Sequence, residues 1–91
     1  MPKFLIERNI PNVGNFTTDQ LVAASQKSCS AIRNIGPEVQ WVHSYVTPNK
    51  IYCVYIAANE DVIRRHAAEA GVPADVITPI KTIIDPTTAE A

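Results

Sequence analysis

No stretch of this chain approaches the ~18 consecutive apolar residues that a membrane-spanning helix requires. Its longest apolar run, Ile51 to Ala58, is under half that length. Nothing at the N-terminus resembles a signal peptide, so none is expected: Met1-Pro2-Lys3 leads straight into Phe4-Leu5-Ile6, and Glu7-Arg8 ends that run. Charge of one sign is absent. Eight basic and nine acidic residues leave a net charge of −1, and Arg64-Arg65 is the only adjacent basic pair. Neither nucleic acid nor an anionic membrane surface is therefore an implied partner. Cysteine is scarce. Cys29 and Cys53 show no metal-finger or redox spacing, and without an export signal they are expected to be reduced thiols in a cytoplasmic protein. No P-loop, glycine-rich nucleotide fingerprint, nucleophile motif or HExxH is present.

What remains is an ordinary globular composition, 46% apolar and 19% charged over 91 residues, which argues against disorder. It predicts one domain over 1–84 with a tail over 85–91. A chain of this size buries roughly 60–65% of the surface its unfolded form exposes.

Lys3 to Asn9 reads as a strand, and its three successive apolar residues suit a central position. Thr17 with Gln20 forms a capping box that opens a helix running to about Ile35, where Gly36-Pro37 stops it. Leu21, Val22, Ser25, Ser28, Cys29, Ile32 and Ile35 share the expected inward face, so Cys29 is expected in the core. Asn59-Glu60-Asp61 opens a second helix that ends at Gly71, with Val62, Ile63, His66 and Ala70 inward. Val76 to Ile84 is a last strand, and Pro79 assigns it to a sheet edge.

Gln40 to Ala58 reads as a β-hairpin around Thr47-Pro48-Asn49-Lys50. The order β-α-β-β-α-β predicts an α+β, ferredoxin-like sandwich: a four-stranded antiparallel sheet, order 4-1-3-2, with two helices on one face. Alternation puts Val42, Ser44 and Val46 on one side of the hairpin and Trp41, His43 and Tyr45 on the other. The ring-bearing side is too aromatic to leave in water, so a sheet-to-sheet homodimer, a dimeric α+β barrel, is expected. A three-residue loop, Pro48 to Lys50, would pair His43 with Tyr55 and Tyr45 with Cys53, and send Val54 and Ile56 to the core. A two-residue loop would instead turn Cys53 and Tyr55 under the helices. The first register is preferred because it groups the aliphatic residues.

Chemistry concentrates on a few residues. His43 on the uncovered face suits a metal ligand or a general base. Glu7 is expected on the same face, as a ligand or in an ion pair with Lys81 or another chain's Arg8. Cys53 is a core residue or a thiolate ligand. His66, amid the apolar stripe of the second helix, needs a partner, for which Tyr52 is a candidate. Trp41, Tyr45, Tyr52 and Tyr55 would line a pocket or the dimer face.

These stretches, PKFLIER, WVHSYVTPNKIYCVYIA and ANEDVIRRHAAEAGVPADVI, resemble a small bacterial family long filed as a domain of unknown function and later named after a nickel-binding member. The resemblance implies a ferredoxin-like dimer able to bind nickel or a similar divalent ion. It also makes Glu7, Tyr52, Cys53, Tyr55 and His66 shared family positions, whereas His43 rests on the face argument alone. The resulting expectation is a non-catalytic, cytoplasmic homodimer holding a divalent transition metal, nickel first, with His43, Glu7, Cys53 and His66 as ligand candidates. One alternative is a small dimeric α+β barrel enzyme of isomerase, lyase or oxygenase type. It would act on an aromatic or unsaturated small molecule, with His43, His66 and Tyr55 as its catalytic groups. Another is a protein-interaction module using the aromatic face.

Overall fold

In β1 (Lys3–Asn9) burial alternates residue by residue, with Phe4, Ile6 and Arg8 inward. This period of two fixes the two faces of the sheet for every strand paired with β1. The coordinates are those of a computed structural model, which describes residues 1–90. The chain continues through α1 (Thr18–Ile35), β2 (Val39–Val46), β3 (Lys50–Ala57), α2 (Glu60–Ala70) and β4 (Val76–Ile80). The sheet order is β2-β3-β1-β4 and all pairings are antiparallel, so the fold is the expected ferredoxin-like α+β arrangement.

Local signals set the helix ends. The Thr17 hydroxyl accepts from the Gln20 amide at 3.2 Å, and the Gln20 side chain accepts from the Thr17 amide at 2.8 Å. The Asn59 side chain accepts from the Val62 amide at 3.0 Å, and Gly71, at φ 70°, closes α2 in the left-handed region. Phe4, Ile6, Val39, Cys53, Tyr55, Ala57, Val62 and Ile63 form the core between sheet and helices.

Four expectations are corrected here. The hairpin uses the two-residue loop. The Thr47 amide and hydroxyl both donate to the Lys50 carbonyl, at 2.9 and 2.7 Å, and close the turn around Pro48-Asn49. Tyr45 therefore pairs with Tyr52 and His43 with Val54, not with Cys53 and Tyr55. Second, a β-bulge lies between Trp41 and His43, so Trp41 pairs with Tyr55 and the strict alternation breaks. Trp41 turns toward the helices, whereas His43 and Tyr45 stay on the open face. Val54 and Ile56 join them there, and Val42 and Val46, expected in the core, are each 45% exposed. Third, the inward stripe of α1 centres on Ser28, Ala31, Ile32 and Ile35. Val22 and Cys29 lie roughly a third of a turn round the axis, so Val22 is exposed and Cys29 only half-buried. Fourth, β4 ends at Ile80 rather than Ile84; Ile83 and Ile84 are exposed, and a 3-10 turn over Pro86–Glu90 follows.

Gly14 ties the β1–α1 loop to the hairpin turn. Its amide donates to the Pro48 carbonyl at 3.1 Å, and a Cβ there would lie 2.8 Å from Pro48 Cα, so only glycine allows the approach.

Candidate functional site

Antiparallel partners share a face, so the register distributes the chemically able side chains between two surfaces. On the open face one row runs Tyr45–Tyr52–Glu7 and the next His43–Val54–Leu5. His43 is exposed and meets Tyr45 edge-on at a centroid distance of 5.0 Å. Within the chain, Glu7 pairs with Lys50 at 3.5 Å rather than with Lys81. Leu5, Val54 and Ile56 supply apolar surface between these groups, and Tyr45 is 59% exposed.

The helix side holds a second group. The Tyr55 hydroxyl lies 3.1 Å from Ser28 Oγ, which in turn lies 3.1 Å from His66 Nε2. Ser28, from α1, is thus the partner of His66; Tyr52 is on the opposite face. The His66 and Tyr55 rings are 5.0 Å apart, and Trp41 stacks on Tyr55 at 6.5 Å. The Arg8 guanidinium lies 5.8 Å from the centre of the Tyr55 ring. Its Nε donates to Cys53 Sγ at 3.4 Å, and its Nη1 to the Pro73 carbonyl at 2.6 Å. Burial of Tyr55 holds its phenol above the usual range, with the Ser28 bond acting in the opposite sense. Burial likewise holds the His66 imidazole below its usual range. The Arg8 charge adds to that effect, and the Ser28 carbonyl and Glu69 oppose it.

The sheet therefore separates the four expected metal ligands, with Glu7 and His43 on one side and Cys53 and His66 on the other. Among the described residues, no three His, Cys, Asp or Glu of one chain gather to hold a metal ion. Of the three groups named for an enzyme, Tyr55 and His66 come together under the helices and His43 does not. Of the four pocket residues, Tyr45 and Tyr52 lie on the open face and Trp41 and Tyr55 beneath the helices. Two surface concavities lie apart from both groups: about 400 Å³ along α1, and about 510 Å³ beside the hairpin turn. Arg8 was not singled out by the sequence reading. The signal was there, because any strand that sends Phe4 and Ile6 inward sends Arg8 with them.

His66 carries a pH prediction. It is fully buried, and that burial holds its pKa below the value near 6.5 at which it titrates in the unfolded chain. Below that value the unfolded state binds the extra proton, so stability falls as pH drops from about 7 toward 5. The urea midpoint should decline over that interval in the wild type, and His66→Gln should flatten the decline.

Among curated proteins, none matches this chain. The crystal structure of SCO4226 from Streptomyces coelicolor A3(2) has the same fold, with a TM-score of 0.77 and 21% sequence identity over 90% of this chain and 99% of that one. The family described as nickel responsive protein SCO4226-like matches residues 4–80, most of the length. The chain therefore belongs to the SCO4226-like family of nickel responsive proteins.

Proposed function

We propose that this protein is a non-catalytic homodimer that binds a divalent transition metal, nickel in the first instance, between two copies meeting through their open sheet faces. The carrying observation is the placement of His43 and Glu7 amid Leu5, Val54, Ile56 and Tyr45 on the one sheet face without helices. Such a face is too apolar to remain in water and carries too few ligands to hold an ion alone. A two-fold partner answers both needs, since each copy brings one imidazole and one carboxylate. Nitrogen and oxygen donors of this kind suit nickel and its neighbours. The description of the family as nickel responsive supports the choice of metal. The free thiols of Cys29 and Cys53 suit a reducing, cytoplasmic compartment.

Titration of nickel into metal-stripped protein, followed by heat and by absorbance, tests the reading. Saturable binding at micromolar metal is expected, weakening as pH falls through the histidine range because the ligands must be deprotonated. His43→Ala should weaken it by at least about 10-fold, since even groups that only orient ligands are worth that much. Cys53→Ser and His66→Gln, on the other side of the sheet, should leave it unchanged. Saturable binding that survives His43→Ala and vanishes with Cys53→Ser would overturn the assignment.

A further inference from the structure

The strand register places the charges of the open face, and most of them oppose a metal ion. Lys3, Leu5, Glu7 and Asn9 of β1 share that face with Lys50, Tyr52, Val54 and Ile56 of β3 and with Val76, Thr78 and Ile80 of β4. Glu7 is the one acid on this face of the three strands, set against two lysines. Its carboxylate is already engaged, since Lys50 Nζ lies 3.5 Å from Oε1. The hairpin turn fixes the origin of that lysine. The Lys50 amide donates to the Thr47 hydroxyl at 3.2 Å, and its carbonyl accepts from the Thr47 amide and hydroxyl at 2.9 and 2.7 Å. Lys50 stands opposite Asn9, so its stem reaches back along β1 to Glu7. Both side chains keep contact with solvent, and the pair can open without disturbing either strand.

We infer that Lys50 competes with the metal ion for the Glu7 carboxylate and thereby sets the affinity of the open-face site. The inference rests on the reading of that face as the metal site. An ammonium and a divalent cation call on the same carboxylate oxygens. An ammonium that stays beside a bound dication also repels it. For the ion to bind, Lys50 must therefore swing away. A single point charge on a flexible four-carbon stem suits that movement, whereas the planar fork of an arginine would hold the carboxylate harder. Lys50 is thus a positioning residue. It acts on the metal through Glu7 and leaves His43 untouched.

Calorimetric titration of nickel into metal-stripped wild type, Lys50→Met, Lys50→Gln, Lys50→Arg and Lys3→Met at 0.1 M salt tests the competition. Lys50→Met and Lys50→Gln should bind nickel about tenfold more tightly than the wild type, and that gain should shrink at 1 M salt. Lys50→Arg should bind no more tightly than the wild type. Lys3 lies four residues from Glu7, roughly 13 Å along the strand and beyond the screening length at 0.1 M salt, so Lys3→Met should change affinity by less than about twofold. No saturable binding by the wild type would remove the metal reading itself. Binding by the wild type that both neutral Lys50 variants leave equal or weaker would overturn the competition alone. An equal gain in Lys3→Met would also overturn it, by assigning the effect to the net charge of the face.

Discussion

Lysine in place of Val54 is expected to convert the protein from a particle of twice the 10.0 kDa chain mass into a single chain, and to abolish nickel binding with it. Val54 lies between His43 and Leu5 in the middle of the open face, on β3, which is paired on both sides. In a face-to-face dimer its ammonium would be buried without a partner, at a cost of several kcal/mol, and two-fold symmetry imposes that cost twice. At about 1.4 kcal/mol per tenfold, association should weaken by at least about a thousandfold. The isolated chain should still fold, because Val54 faces away from the helices. Light scattering reads the mass, and far-ultraviolet circular dichroism the fold. A variant that remains dimeric would place the interface elsewhere. Arg64→Ala, which removes an exposed pairing with Glu60 on α2, serves as the control and should change neither readout.

The second large effect concerns the opposite face. Ile6 is fully buried at the centre of β1, flanked by Cys53 on β3 and Ile77 on β4. Truncating it to alanine removes three buried carbons and leaves a cavity that a central strand cannot collapse around, so a loss of about 3–4 kcal/mol is expected. A domain of this length has roughly 5–14 kcal/mol in total, and the melting temperature should fall by at least about 12 °C. Leu5→Ala, one residue along, provides the contrast. Leu5 is on the open face, so in a monomeric background such as Val54→Lys its truncation should cost far less. Equal losses for Ile6 and Leu5 in that background would contradict the assignment of faces, on which every site above depends.

Much of this was legible in the sequence where the signal was local. The Thr17–Gln20 capping box, the Asn59 cap, the Gly71 stop and the Pro79 edge strand each act within a few residues, and the element order then fixed the sheet order. The face of Glu7 was legible too. Illegible was anything that depended on counting residues across the hairpin. Alternation carries a side-chain assignment only as long as no residue is inserted, and the bulge between Trp41 and His43 adds one. The hydroxyl of Thr47 closing on Lys50 shortened the loop, reversing the faces of Cys53, Val54, Tyr55 and Ile56 together. Grouping aliphatic residues in the core was the wrong criterion here. The interior takes Tyr55, His66 and Arg8 because each finds a neighbour there, whereas Val54 and Ile56 occupy the face expected to meet a second copy.

The most direct test is a crystal soaked in nickel with the anomalous scattering mapped. A peak is expected between two copies of the chain, within bonding distance of His43 from each. A peak beside Cys53 and His66 beneath the helices, or none at a nickel concentration that saturates the protein in solution, would contradict it.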